Sequence, residues 1–305
     1  MALQWISGPP VDCAISAVGL KLSATGELIY AKQGLCSANV LPGVNSLLSI
    51  AVAADGRIAL SGMTIGAVVL DATGKLIFQE PYAGQVAFDS NGNLVVGIRF
   101  GGQLQLAPDV IVQGGTNYTS TVIVKYDSAN RYVSHFQLDR AAIVSLALDA
   151  DDDIFFVAEF VEMMTLFGQV LDVPVALPYP AGVQFGSIAV RLDASYGVSW
   201  AKELDPFNGS VRTASMLSGM GGMAINGVGD VIVSSNAVVL DSAPYASATL
   251  VQLNASSGAP LLSVGAHATG FGRGVASDGC GSIYFASVQY TPDATTLLQK
   301  IAAPR

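Results

Sequence analysis

The stretch from Val86 to Val96 reads VAFDSNGNLVV: an apolar run, then Asp-Ser-Asn-Gly-Asn, then a second apolar run. β-Branched residues and Phe on either side favour strands, and the Asp, Asn and Gly between them favour a tight turn. The segment therefore predicts a β-hairpin. Within its turn, Gly92 is the residue expected at positive φ, a conformation that glycine adopts without steric cost.

Near-copies of this hairpin return along the chain and alternate with a second kind. The second kind has an apolar strand, a turn resembling Asp-Ala-x-Gly, and a strand that often carries an aromatic residue. Further copies of the first kind are IAVAADGRIAL from Ile50, LALDADDDIFF from Leu146, MAINGVGDVIV from Met223 and GVASDGCGSIYF from Gly274. Copies of the second kind begin at Leu20, Val68, Ile123, Ala189 and Leu250, and LLQKIA from Leu297 begins a sixth.

One hairpin of each kind gives four strands in about 56 residues, the period and strand number of a β-propeller blade. The sequence therefore predicts an all-β fold in which residues 1–305 form one propeller domain. The first strand of the second hairpin occurs six times, which favours six four-stranded blades. Five blades is the alternative, because the first hairpin occurs five times.

The segments VRLDASYGVSWAK and VAFDSNGNLVVGIRFGG resemble the repeats of bacterial β-propeller repeat proteins of the SBBP kind, and the second hairpin is more distantly similar to quinoprotein-type repeats. The tryptophan typical of such repeats is present at Trp200. The resemblance implies that LQWIS, with Trp5, is an outer strand, so that strand 3–7 closes the ring with strand 297–302. No catalytic residue carries over. The equivalent position in other repeats holds Tyr30, Phe78, Ser134 and Leu261.

Composition limits the classes of function. The chain is 51% hydrophobic and 12% charged, against about 25% charged in an ordinary globular domain, which excludes a disordered chain. The net charge is −9 and no basic run occurs, which argues against nucleic acid as a partner. No apolar run is long enough to predict a transmembrane segment.

The compartment is less constrained. The low Lys content and the Ser-, Thr- and Gly-rich turns favour an exported protein that is secreted, periplasmic or at the cell surface, with a cytoplasmic protein as the alternative. Three cysteines occur, and their spacing matches no zinc pattern. A bridge between Cys13 and Cys36 and three free thiols both remain open.

The long insertions are the best candidates for binding. In an antiparallel four-stranded blade, the turns of both hairpins lie at one end and the other connections lie at the opposite end. The long segments Phe100–Ser120, Phe160–Phe185, Asp205–Met220 and Ser235–Ala248 all fall among those other connections. Phe160–Phe185 is almost uncharged and is expected either to form an interaction surface or to fold back over the blades. The candidate binding residues are Met163, Met164, Phe167, Tyr179, Tyr118 and Phe207.

Signals for chemistry are weak. Asp149, Asp151 and Asp153 have the spacing of Ca²⁺ ligands, but the same turn in sister repeats is a plain polar turn, which is the preferred interpretation. Glu159 and Glu162 flank the start of the long insertion and fit a polar rim. No metal or cofactor is expected.

The sequence thus predicts a non-enzymatic propeller that binds a protein or glycan through its long loops. One alternative is a surface protein that assembles with copies of itself into oligomers or filaments. The other is a propeller enzyme, a lyase or a glycosidase.

Overall fold

Antiparallel strand pairing organises the whole described part of the chain. The structure is a computed structural model, and strands are the regular elements it contains in the described residues. No helix there is long and apolar enough to cross a membrane. The described residues are 17–22, 28–34, 47–62, 66–115, 119–161, 163–166, 169–172, 185–204, 211–212, 222–239, 246–266, 271–277, 282–289 and 295–301.

The strands follow one another with short spacing. In the first half of the chain they are β1 Ala17–Leu22, β2 Leu28–Gly34, β3 Leu47–Val52, β4 Ile58–Gly62, β5 Gly66–Leu70, β6 Leu76–Glu80, β7 Gly84–Phe88, β8 Leu94–Phe100, β9 Gln103–Ala107, β10 Val110–Gln113, β11 Ser120–Tyr126, β12 Tyr132–Leu138 and β13 Ala141–Leu148. The remainder are β14 Ile154–Val161, β15 Met163–Leu166, β16 Gln169–Asp172, β17 Phe185–Leu192, β18 Val198–Glu203, β19 Val211–Arg212, β20 Met223–Ile225, β21 Val231–Val239, β22 Ala246–Leu253, β23 Pro260–Ala266, β24 Phe271–Ser277, β25 Ile283–Gln289 and β26 Thr295–Ile301.

These strands form successive sheets, each built as an up-and-down meander. Sheet I is β3-β4-β5-β6, sheet II is β7-β8-β11-β12, and sheet III is β13-β14-β17-β18. Sheet IV is β20-β21-β22-β23, with β19 also paired to β21, and sheet V is β24-β25-β26. Three further sheets are two-stranded hairpins, β1-β2, β9-β10 and β15-β16.

The predicted hairpins of both kinds are confirmed, apart from the sixth copy of the second kind, of which the structure describes only the first strand, β26. The opening stretch forms β7 and β8, and Gly92 in its turn has φ 74°. The second kind forms β5-β6, β11-β12, β17-β18 and β22-β23, each with a register shift next to its turn. The repeat predicted from the sequence is therefore a repeat of four-stranded sheets, and sheets I to IV show it complete.

The chain divides into two units, residues 1–84 and 85–305. In the second unit, each sheet packs face to face with the next. Phe156 contacts the cluster shared with sheet II, whereas its neighbour Phe155 contacts the cluster shared with sheet IV. Both rings are fully buried, as expected for strands covered on both faces. Between sheets II and III lie Val95, Ile123, Ile143 and Val190; between III and IV lie Val157, Trp200, Val231 and Val251; between IV and V lie Ile232, Leu250, Ile283 and Phe285.

Two of the predicted long connections are ordered differently. More than half of Ser235–Ala248 belongs to the paired strands β21 and β22. Phe100–Ser120 was expected as a long connection open to binding, but most of it is the β9-β10 hairpin. Leu104, Leu106 and Val112 of this hairpin are buried. Alternation in QLQLA and VIVQ, with Pro-Asp between, is a strand pattern, and the buried apolar side stabilises it. The accessible part of this connection is smaller than the sequence indicated.

Several predictions lie outside the described residues. The closing strand 3–7 with Trp5 does so, as do Cys13, Cys36 and Glu162.

Candidate functional site

The short turns share one local design. In five-residue turns such as Asp71–Lys75, the first residue's Oδ1 accepts hydrogen bonds from the backbone N–H groups two and four residues later. The fourth residue then takes a left-handed conformation. Asp89, Asp127, Asp149, Asp193 and Asn226 accept in the same way.

These turns are tied to one another across sheets II, III and IV. We call this end of the three sheets, formed by turns 89–93, 127–131, 149–153, 193–197, 226–230 and 254–259, the turn end. Asp152 accepts hydrogen bonds from Ser90 N at 2.6 Å and Ser90 Oγ at 2.8 Å, which joins sheet III to sheet II. Arg191 donates to Asp153 Oδ2 at 2.6 Å and to the carbonyl of Ala255 at 2.7 Å, which joins sheet III to sheet IV. Trp200 Nε1 also donates to the Ala255 carbonyl.

A buried ion pair anchors the turn of the opening stretch. Lys125 Nζ lies 2.7 Å from Asp89 Oδ2, and the Asp89 side chain is fully buried. Burial alone would raise the pKa of Asp89. Hydrogen bonds from Lys125 and Asn93 outweigh burial and place that pKa below its ordinary value. These groups support the turn rather than present a reactive carboxylate.

The calcium candidate belongs to this network. Asp149 and Asp153 both face the Arg191 guanidinium, at 3.4 Å and 2.6 Å, while Asp151 is exposed. A guanidinium therefore neutralises the two inner carboxylates. Among the described residues, no group of three or more His, Cys, Asp or Glu side chains could hold a metal ion.

The opposite end of sheets II and III carries the insertions, and we call it the insertion end. The β9-β10 hairpin leaves it between paired residues Phe100 and Ser120, and the β15-β16 hairpin leaves it between paired residues Val161 and Phe185. Met163 and Met164 lie on β15, which pairs with β16. Phe167, Tyr179, Tyr118 and Phe207 fall outside the described residues, so the predicted binding set stays a prediction.

The surroundings of Glu159 differ from those that the sequence predicts. It was interpreted as part of a polar rim, but it is 5% exposed and lies on β14 between Ala142 of β13 and Ser187 of β17. Its Oε2 has no hydrogen-bond partner. Burial raises the pKa of Glu159 to about 8, although the charge of Arg99 acts against the shift. The run IFFVAEFV contained the signal, because a strand apolar on both sides buries its one charged residue.

An aromatic group at the outer part of sheet II was also missed. Tyr196, in the β17-β18 turn, has φ 68° and stacks on Phe136 with ring centroids 5.9 Å apart. Its hydroxyl lies 3.1 Å from Ser134 Oγ. Next to it, Tyr132 Oη lies 2.7 Å from His135 Nδ1. His135 thus lies within β12, and its Nδ1 is within hydrogen-bond distance of the Tyr132 hydroxyl.

Comparisons with known proteins find structural likeness and no family. No family model matches the chain, and no curated protein matches it. Among solved structures, the chain is similar to a protein of unknown function from Bacteroides caccae, with 12% identity, a TM-score of 0.47, and coverage of 90% of this chain and 83% of that one. It is similar to the Dos1 propeller, with 10% identity, a TM-score of 0.42, and coverage of 81% and 68%.

A third similar structure is a quinohemoprotein alcohol dehydrogenase from Pseudomonas putida HK5, with 12% identity, a TM-score of 0.45, and coverage of 94% of this chain and 64% of that one. Likeness at this level transfers no activity. The resemblance to SBBP repeats stays a prediction.

Proposed function

We propose that the chain is a six-bladed β-propeller that acts as a non-enzymatic scaffold and binds a protein or glycan partner at its insertion end. In this proposal residues 1–305 form one domain, and strand 3–7 completes the blade of sheet V beside strand 297–302. The protein would be exported and work outside the cytoplasm.

The observation that carries the proposal is the difference between the two ends of sheets II and III. At the turn end, short loops are held by Asp152 and Arg191 in contacts between sheets. At the insertion end, the connections contain the hairpins β9-β10 and β15-β16. Binding residues are usually carried by loops that a rigid scaffold positions, so the insertion end is the better binding surface.

The experiment replaces residues 162–184 by a short Gly/Ser turn. Val161 and Phe185 are paired, so a short turn can join β14 to β17, and Phe160, which is buried in the core, is kept. The matched control replaces 101–119 between the paired residues Phe100 and Ser120. Binding is measured on a glycan array, and self-association by sedimentation velocity at several concentrations. We expect the first replacement to abolish binding, and the proposal fails if both replacements bind as the parent does.

Self-assembly is the second candidate. The mean hydropathy is +0.51, and on β3 of sheet I the side chains of Ile50 and Val52 are 55% and 61% exposed. Large apolar side chains that are open to solvent can be covered by another copy of the chain. Sedimentation of an Ile50→Ser, Val52→Ser variant separates this from partner binding, because self-assembly through β3 predicts a smaller species.

An enzyme is the remaining alternative, and Glu159 is the observation in its favour. A carboxyl that holds its proton near neutral pH suits a general acid. A glycosidase needs a second carboxylate across a cleft. Asp55, Asp71, Asp89 and Asp127 instead have pKa values that hydrogen bonds lower, and they lie at the short turns.

A further inference from the structure

Two buried polar side chains of sheet III have atoms without hydrogen-bond partners. They are Oε2 of Glu159, which is 5% exposed, and Oγ of Ser145, which is 3% exposed. Native proteins rarely leave such groups unsatisfied, because burial removes the water that would otherwise bond them.

The two side chains share one face of the sheet. Ser145 on β13 pairs with Val157 on β14, and Glu159 lies two residues further along β14, so all three lie on the same side. A register shift between Ile143 and Ser145 interrupts the ladder beside them. Because Val157 packs with Val231 and Val233, this face is the one that meets sheet IV.

The chemistry of Glu159 and Ser145 indicates which group could form the missing hydrogen bonds. A hydroxyl and a carboxyl both donate and accept hydrogen bonds, while the neighbouring core is apolar. A charged ligand is disfavoured, because the same burial favours the uncharged form of Glu159. One small neutral oxygen that both donates and accepts meets the requirement.

We propose that Glu159 and Ser145 form an internal binding site for one hydroxyl oxygen, held between sheets III and IV. The oxygen belongs to a water molecule or to the hydroxyl group of a small neutral ligand. Glu159 lies two residues before Val161, where the chain leaves for the β15-β16 insertion. The site therefore lies next to the point where that insertion leaves β14. The proposal does not depend on the function proposed above.

High-resolution diffraction from crystals of the full chain, grown without polyols or sugars, tests the site directly. We expect one oxygen peak within hydrogen-bond distance of both Glu159 Oε2 and Ser145 Oγ. An isolated peak identifies water, and a peak continuous with larger density identifies a co-purified ligand. If neither atom is bonded through a shared oxygen, the proposal is wrong.

A double-mutant cycle tests the same site in solution. Ser145→Ala and Glu159→Met each remove one partner of the shared oxygen, so the double variant should lose less stability than the two single variants predict together. We expect an unfolding equilibrium constant that departs from additivity by about fivefold or more. The control pairs Glu159→Met with Ser134→Ala in sheet II, which should be additive. Additivity in both cycles overturns the proposal.

Discussion

At the scale of single residues, the left-handed position of each five-residue turn determines which side chains it accepts. Gly92 occupies it in the opening stretch with φ 74°, but Asn130, Asp152 and Tyr196 occupy it in sister turns with φ from 63° to 68°. Asn and Asp tolerate this conformation, whereas an aromatic residue there is strained. In DASYG the sequence favoured glycine at positive φ, yet Tyr196 takes that position and Gly197 follows it.

Substitution of Gly92 tests this geometry. Gly92→Val should lower the free energy of unfolding by about 1–2 kcal/mol, because a β-branched residue is forced into the left-handed region. Gly92→Asn should cost less, since Asn130 holds the same conformation in the next turn of sheet II. Urea unfolding measures both variants. Equal stability of Val and Asn would show that the turn tolerates any residue.

Glu159 predicts a loss of stability toward alkaline pH. Its pKa is about 8 in the folded chain, against an ordinary value of 4.5. Below pH 4.5 both states hold the proton. As pH rises from 4.5 to 8 the unfolded state releases it first, so folding loses at most about 1.4 kcal/mol per pH unit from this group. Above pH 8 the loss is complete and constant.

Glu159→Gln removes this titration. The difference in free energy of unfolding between variant and parent should favour the variant increasingly from pH 5 to pH 8, measured by urea unfolding at constant ionic strength. A difference that does not change with pH would mean that Glu159 is ionised and solvated in the folded chain.

At the scale of elements, Arg191 connects sheets III and IV. Its guanidinium bonds Asp153 within sheet III and the Ala255 carbonyl in sheet IV, and it lies over the Phe155 ring at 5.1 Å. The Arg191 and Asp153 side chains are 17% and 15% exposed, so solvent screens this pair only in part.

Removal of the Arg191 guanidinium should therefore lower the free energy of unfolding. Arg191→Met should lower the free energy of unfolding by about 2–4 kcal/mol, because it leaves two carboxylates without their cation. Arg191→Lys keeps the charge but loses the planar fork, so an intermediate loss is expected. The melting temperatures of both variants measure this. If the Arg191→Met variant had the same melting temperature as the parent, the hydrogen bonds of Arg191 between the sheets would contribute nothing to stability.

The elements also show what the sequence could predict. Period-two alternation and Asp/Gly turns were sufficient for the paired hairpins, since both are local signals. The β9-β10 hairpin was missed because its burial depends on the surface it packs against. The equivalent of Trp200 was placed at Leu261, but the register gives Leu262, because the Asn254–Ala259 turn is one residue longer. Burial of Glu159 was missed although the strand IFFVAEFV is apolar on both sides of it, whereas the sheet that this face meets depends on packing between sheets.

At the scale of the whole molecule, the proposed ring implies that residues 1–8 contribute to the stability of the fold. If strand 3–7 completes the blade of sheet V, deletion of residues 1–8 removes an outer strand and Trp5 together. We expect a loss of about 3–5 kcal/mol, the cost of truncating a large buried aromatic residue. Trp5→Phe, measured by urea unfolding, is the milder control and should keep most of the stability. A deletion variant as stable as the parent would argue against this closure.

A crystal structure of the full chain tests most directly whether the protein is the proposed ring of six blades with its insertions at one end. We expect six sheets around one axis, strand 3–7 paired with strand 297–302, and the connections 101–119 and 162–184 at the end opposite the turns 89–93 and 149–153. A ring of five blades, an open arrangement, or insertions that project from both ends would contradict it.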